Sequence, residues 1–196
     1  FETPIVGGGS FQLFSGGADI GGWTVLGRDV LLVQNTYSEP QNGVNQFNAQ
    51  QGLNSLDLTG NGNTGPTDGV QQTVATVVGT IYQVSFWVGR AGGSAPFYNA
   101  AAVVDVSING GARTSYTNNN VTAGSVNWQQ FTTSFTATSA STTIAFLNGT
   151  PPVTAFAGLD NVSVSVVVPE PRSLALLGCG LSVVFGLAWR RGQARV

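Results

Sequence analysis

From Thr80 to Val88 apolar side chains return at every second position, so that Tyr82, Val84, Phe86 and Val88 share one face of an extended chain. Ile81 and Trp87 fall on the opposite face with Gln83 and Ser85, so that face is expected to be partly covered too. The same two-residue period recurs where Val104, Val106 and Ile108 face one way, at Phe131, Thr133 and Phe135, at Ile144 and Phe146, and at Val162, Val164 and Val166. No stretch before residue 172 sustains the period of about 3.6 residues that an amphipathic helix needs. A chain patterned this way must bury the apolar face of each strand against another sheet.

The breaks between these segments agree with that reading. Thr59-Gly60-Asn61-Gly62-Asn63, Ala91-Gly92-Gly93-Ser94 and Asn109-Gly110-Gly111 are turn sequences, and Asn109-Gly110 between two alternating runs predicts a tight hairpin. Residues 35–52 and 60–69 are polar and are expected to be long loops. Glycine at 27 of 196 residues could also signal disorder, but 42% hydrophobic residues with 11 Phe and 4 Trp favour a packed core. Roughly eight to ten short strands at this spacing predict an all-β sandwich. Trp23, Trp87 and Trp128 are expected to fill its core. A soluble part of this length buries a full core without disulfides. The single Cys179 forms no disulfide within the chain.

Composition removes most catalytic options. There is no His and no Lys, and Cys179 lies in the tail, so Ser-His-Asp, Cys-His and Ser-Lys arrangements and Cys/His zinc sites are excluded. The acids before the tail are Glu2, Asp19, Asp29, Glu39, Asp57, Asp68, Asp105 and Asp160, and none forms a suggestive catalytic motif. A non-enzyme is expected. Charged residues make up 8% of the chain, against a usual fraction of about 25%, and the net charge is −2, which argues against a nucleic-acid partner. The first residue is Phe, so a leader has been removed or a longer chain is cut short.

Sugar recognition needs exposed rings that stack on C–H faces and polar side chains that read hydroxyls. Tyr37, Phe97, Tyr98 and Tyr116 fall in loop or edge contexts, and Arg90, Asn99 and Asn118 are near them in sequence. The competing reading of each ring is core filling.

The last 30 residues carry a three-part address. Residues 167–173 hold Val168-Pro169-Glu170-Pro171, a stiff, extended acidic segment ending at Ser173. Residues 174–189 are uncharged and apolar, near the lower length limit for a membrane-spanning helix at about 1.5 Å per residue. Residues 190–196 bring Arg190, Arg191 and Arg195, which should stay cytoplasmic and leave the β-domain outside. Cys179 reads as an apolar filler of that helix.

This tail closely resembles the PEP-CTERM sorting signal of Gram-negative bacteria, from Val168 to Arg191. The resemblance implies an exosortase partner, cleavage near Pro-Glu-Pro, an inner-membrane stage before processing, and a final place at the cell surface or in an extracellular matrix rich in exopolysaccharide, as in biofilms. Residues 1–166 carry Phe1-Glu2-Thr3-Pro4, Gly21-Gly22-Trp23, Ser55-Leu56-Asp57-Leu58, Gly79-Thr80-Ile81-Tyr82, Trp128-Gln129-Gln130-Phe131 and Gly158-Leu159-Asp160-Asn161-Val162 in that order. The series resembles the galactose-binding-like jelly rolls of exported bacterial proteins, choice-of-anchor families and carbohydrate-binding modules among them.

That second resemblance implies a structural Ca²⁺ held by Glu2 and Asp160, with Asp57 as a third candidate ligand. The residues add one argument: strand alternation puts Asp160 with Val162, Val164 and Val166, and a carboxylate on an apolar face needs a partner. A metal ion or turn hydrogen bonds would each serve. Two functions follow as expectations: an exopolysaccharide-associated carbohydrate-binding module, or a structural and adhesive matrix protein without sugar recognition.

Overall fold

The alternating segments form two six-stranded antiparallel sheets in a computed structural model that describes residues 1–62, 65–151 and 156–168. The strands are β1 (Phe11–Ser15), β2 (Asp19–Ile20), β3 (Trp23–Leu26), β4 (Asp29–Gln34), β5 (Asn54–Asp57), β6 (Gly69–Ala75), β7 (Ile81–Ala91), β8 (Ala102–Ile108), β9 (Thr114–Asn118), β10 (Val126–Thr136), β11 (Ser141–Asn148) and β12 (Gly158–Val166). The first sheet runs β1-β4-β5-β12-β7-β10 and the second β2-β3-β6-β11-β8-β9. This is an all-β sandwich of jelly-roll type. There are more strands than expected because β2, β3 and β5 span four residues or fewer, too few to show a period.

The chain divides into two units, Phe1–Val166 and Val167–Val196. Of the sorting motif, only Val168 is described, and it is exposed. Pro169, Glu170, Pro171, Ser173, Arg190, Arg191 and the expected helix over 174–189 lie outside the described residues. Among the described residues no helix is long and apolar enough to cross a membrane.

The predicted faces are the observed ones over most of the sandwich. Val84, Phe86 and Val88 of β7 are fully buried, as are Val104 of β8, Phe146 of β11, Leu32 of β4, Leu56 of β5 and Leu159 of β12. Phe86 sits at the centre, its ring 5.1 Å from those of both Phe146 and Tyr116. Each such buried side chain contributes roughly 1.5–3 kcal/mol. Asn109 and Gly110 both adopt left-handed backbone (φ 50° and 69°) in a turn closed by the Gly111 amide on the Ile108 carbonyl at 2.9 Å, but β8 and β9 pair only from Val106 and Thr114, so the connection is longer than the tight hairpin expected.

The first sheet is covered on its outer face as well. Its register lines up Leu13, Leu31, Asp57, Gly158, Gly89 and Trp128, one from each strand. Their chain neighbours Leu32, Leu56, Leu159 and Val88 point into the sandwich, so this row points out. Two glycines at the centre of the row let the Trp128 ring lie flat on the sheet. A Cβ on Gly89 would stand 2.7 Å from Trp128 Cζ3, and one on Gly158 would stand 2.9 Å from Trp128 Cη2.

Around that ring lies a second apolar cluster of Val33, Val44, Phe47, Ala91, Val126 and Phe156, packed with Leu31, Tyr37 and Tyr98. The segment between β4 and β5 supplies Tyr37, Val44 and Phe47. It has the loop character expected of residues 35–52, with one 3₁₀ turn at Pro40–Asn42. Asn48 pins it down: its Oδ1 accepts the Val126 amide at 3.0 Å, and its backbone carbonyl accepts the Trp128 indole N–H at 2.8 Å.

Two expectations are corrected here. Trp23 packs against the main core, its ring 5.8 Å from that of Phe146. Trp128 instead belongs to the outer cluster, and the register places Trp87 on the outer face between Asp160 and Gln130. Alternation along a half-buried strand tells which residues share a face, not which face is the core.

Candidate functional site

Two pockets gather the polar and aromatic residues of the first unit. The first, about 400 Å³, is lined by Phe1, Glu2, Trp23, Gln51, Gly52, Asp160, Asn161 and Val162. Asp160 is 2% exposed and acts as a hub for backbone amides. Its Oδ2 accepts the amides of Gln50 at 2.9 Å and Gln51 at 3.0 Å, and its Oδ1 accepts that of Asn161 at 2.7 Å. Glu2 Oε2 accepts an amide two residues further on, Leu53 N–H, at 2.8 Å. The two carboxylates thus clasp one loop, residues 50–53, from both ends of the first unit. Burial pushes the Asp160 carboxyl up, and its amide bonds pull it partly back.

Asp160 does not share the face of Val164. It pairs with Trp87, whereas Val164 pairs with Val84, because a bulge intervenes at Asn161, whose φ is 46°. One extra residue reverses the alternation beyond it. The expected buried-face argument for Asp160 therefore fails, while Glu2 and Asp160 do line one pocket.

The donor chemistry of this clasp suits a hard cation. Both groups are carboxylates, Asp160 keeps one of its roughly four acceptor positions, and Glu2 Oε1 accepts no hydrogen bond from the described residues. Asp57, the third candidate ligand, does not line this pocket. Among the described residues no three His, Cys, Asp or Glu side chains group as a metal site.

Asp57 instead lines the second pocket, about 180 Å³, with Phe11, Leu31, Val33, Tyr37, Glu39, Phe47, Tyr98 and Phe156 and the turn Gly60-Asn61-Gly62. The rings form one continuous cluster. Phe47 lies at its centre, 5.3 Å from Tyr37, 5.6 Å from Tyr98 and 5.2 Å from Phe156, while Phe11 meets Tyr37 edge-on at 5.2 Å. Phe11 is 41% exposed, so this wall of the cup faces solvent.

Glu39 organises the polar side. Its Oε1 accepts the Tyr37 hydroxyl at 2.7 Å, and its Oε2 accepts the Tyr98 hydroxyl and the Asn42 amide, each at 2.8 Å. Burial first, then the bond to Glu39, raises both phenols well above their ordinary range, so both stay protonated donors.

Asp57 is only 7% exposed. Its Oδ1 accepts three bonds, from Thr59 N–H at 3.0 Å, Thr59 Oγ1 at 2.7 Å and Ala157 N–H at 3.3 Å. Its Oδ2 accepts none from the described residues. Burial pushes this carboxyl up to about 6, the hydrogen bonds oppose that, and the charge of Glu39 adds to it.

The other expected sugar contacts divide. Tyr37 and Tyr98, 61 positions apart in sequence, come together in the second pocket. Arg90 braces loops, donating to the carbonyls of Asn119 and Asn99. Phe97 is 43% exposed and lines neither pocket. Tyr116 is half-buried and packs against the main core, its ring 5.1 Å from Phe86 and 5.5 Å from Phe131, and lines neither of these pockets. Phe11, Glu39, Phe47 and Phe156 were not foreseen. Glu39 alone left a local signal, standing two residues from Tyr37 in a polar loop.

An all-β sandwich with an amide-holding carboxylate clasp and an aromatic cup on its outer face is thus defined. The chain belongs to the DUF642 family, proteins of unknown function, whose family model matches residues 1–164. No curated protein matches it. Similar solved structures include the Podospora anserina GH26-CBM35 β-(1,4)-mannanase, with 12% identity, a TM-score of 0.49, and coverage of 83% of this chain and 29% of that one. The CBM22-1 xylan-binding domain of Paenibacillus barcinonensis Xyn10C is 16% identical with a TM-score of 0.47, covering 84% of this chain and 99% of the domain. A family 35 carbohydrate-binding module from Clostridium thermocellum is 14% identical with a TM-score of 0.42, covering 79% and 98%.

The buried Asp57 carboxylate sets a pH dependence with a definite sign. Its folded pKa of about 6 lies above the unfolded value near 4, so the folded state holds the proton more tightly. Ionisation therefore costs stability, in full above about pH 6, and the cost disappears as pH falls toward 4. Asp57→Asn keeps the Oδ1 acceptor and removes the charge. It should raise stability at pH 7 by roughly 1–3 kcal/mol and flatten the rise in melting temperature between pH 7 and pH 4. Thermal melts of both proteins across that range check this, and an unchanged or lower melting temperature at pH 7 would contradict it.

Proposed function

We propose that the first unit is a non-catalytic carbohydrate-binding module of an exported protein, and that the second pocket is its binding site. One observation carries the reading: five aromatic rings and two carboxylates converge in a cup on the outer face of the first sheet, with the Phe11 ring open to solvent. Rings such as Phe11 and Tyr37 offer stacking surfaces for sugar C–H faces, while Asp57 Oδ2 and the Asn61 turn offer groups for hydroxyls. The carboxylates are poorly placed for glycoside hydrolysis. That chemistry needs two working carboxyls, a proton donor and a nucleophile or base, and Glu39 is tied up by three donors, which leaves only Asp57 open.

The first pocket has a supporting role in this reading. Glu2 and Asp160 hold a Ca²⁺ there, whose charge offsets two carboxylates and fastens the loop that ends beside the cup. The tail, read as a PEP-CTERM signal, makes the protein an exosortase substrate that passes through the inner membrane to the surface, where the module meets exopolysaccharide.

Three measurements test these points. On a glycan array the full chain should bind a defined set of sugars, and Phe11→Ala should weaken binding about tenfold, the scale of one stacking contact. Retention on no glycan, the producer's own polysaccharide included, would favour the structural and adhesive alternative. Added Ca²⁺ should raise the melting temperature and a chelator lower it, with Asp160→Asn abolishing the response; a melting temperature indifferent to both excludes the ion. In a host with an exosortase, the protein should lose its tail and reach the surface, and replacing Pro169-Glu170-Pro171 by alanines should leave it uncut in the membrane. Identical processing of both forms would rule out the sorting role.

A further inference from the structure

The cup is more acidic than neutral sugar recognition requires. Glu39 and Asp57 both line it, and no cationic side chain does among the described residues. Arg28, which reaches the rim by donating to the Asn61 carbonyl at 2.9 Å, is paired with Asp29 at 2.9 Å. Asp57 is the more telling of the two. It is more than nine-tenths buried, three donors hold one oxygen, and the other faces the pocket without a donor from the described residues. A carboxylate so largely withdrawn from water gains from a partner that reaches its open oxygen through the pocket.

The surroundings limit what that partner can be. A hydroxyl would satisfy the lone pairs but leave two carboxylate charges uncompensated in one small cup. A uronic acid would add a third negative charge. A bare metal ion would find only two carboxylates there, and Glu39 is already held by three donors. A protonated amine on a sugar ring meets both demands. Its ammonium donates to Asp57 Oδ2 while lying near the electron-rich ring faces, and its pyranose C–H face covers Phe11. We propose that the cup recognises a cationic amino sugar, that is, a glycan with free rather than acetylated amines. This rests on the carbohydrate-binding reading above and adds the ligand class.

The pH behaviour is distinctive. Asp57 is faced by Glu39, Tyr37 and Tyr98 across the cup and by the Thr59 hydroxyl on its own turn, and both phenols stay protonated between pH 5 and 7. As pH falls through about 6, Asp57 takes up a proton while the ligand only becomes more fully cationic. Affinity should therefore fall where the ligand's own charge would favour its rise.

Isothermal titration of the full chain with the β-1,4-linked glucosamine trisaccharide, its fully N-acetylated form and the neutral glucose trisaccharide tests the assignment. The expected result is binding of the free-amine sugar at least about tenfold tighter than either other probe at pH 7, falling about fivefold at pH 5, with Asp57→Asn losing about tenfold at pH 7. Melting curves check that the variant is folded, and the pH series on the unsubstituted chain stands even if it is not. If the acetylated or neutral sugar binds as well as the free amine and Phe11→Ala weakens it, the carbohydrate site survives and the cationic assignment is overturned. If no sugar binds at all, both fall. Affinity that rises from pH 7 to pH 5 would remove Asp57 from the recognition.

Discussion

Trp128 lying flat on Gly89 and Gly158 is the contact on which the rest of this molecule depends. A sandwich of this size would normally leave the outer face of a sheet to solvent, and here the adjacent strands β12 and β7 lack side chains at the point where the indole settles. The ring makes an apolar floor, its N–H fixes Asn48, and the segment over 35–53 then has a surface on which to fold. That segment has almost no regular structure of its own. It gains order from Val44 and Phe47, which are buried in the outer cluster, and from carboxylates that accept its amides.

Charge is used sparingly, and half of the eight carboxylates of the first unit lie inside. Asp29, Asp57, Asp68 and Asp160 are all buried, and each accepts at least one backbone amide from a distant turn or loop. In a chain without lysine, backbone N–H groups and a few arginines do the work that ion pairs do elsewhere. Amide donors are directional, so such carboxylates fix loop geometry more tightly than an exposed ion pair would. Asp57 and Asp68 each leave one oxygen without a hydrogen bond from the described residues, and of the two only Asp57 lines the cup. Burying a carboxylate without full satisfaction lowers stability, and residues kept despite that cost cluster at functional sites.

Much of the architecture was legible in the sequence because period-two alternation survives wherever one face meets a core. The strands around Val84, Val104, Phe131 and Val164 follow it, and Asn109-Gly110 makes the turn its residues demand. The sites were less legible, for identifiable reasons. Tyr37, Glu39 and Tyr98 meet only because two loops fold onto one sheet face, and nothing local in either loop announces the other. Asp160 was placed on the wrong face because the bulge at Asn161 looks like any other strand residue. Trp87 and Trp128 read as core rings because a tryptophan opposite glycine and one opposite leucine leave the same trace in a linear pattern. Tyr116 shows the converse case, an aromatic near a loop whose ring packs against the core.

The segment over 35–53 links the two pockets. Its first half carries Tyr37, Glu39 and Phe47 into the cup, and its second half carries Gln51 and Gly52 into the clasp. Between them Asn48 is bound to β10, and the amides of Gln50 and Gln51 to Asp160 of β12. The stretch is therefore anchored at its middle and end by polar contacts and at its start by ring packing. Loops held this way open at a lower free energy than core strands, because few of their own backbone bonds must break. The clasp thus bears on the cup through the backbone they share: whatever strengthens the hold of Glu2 and Asp160 on residues 50–53 also limits the freedom of Phe47, and Phe47 is the ring on which Tyr37, Tyr98 and Phe156 all rest.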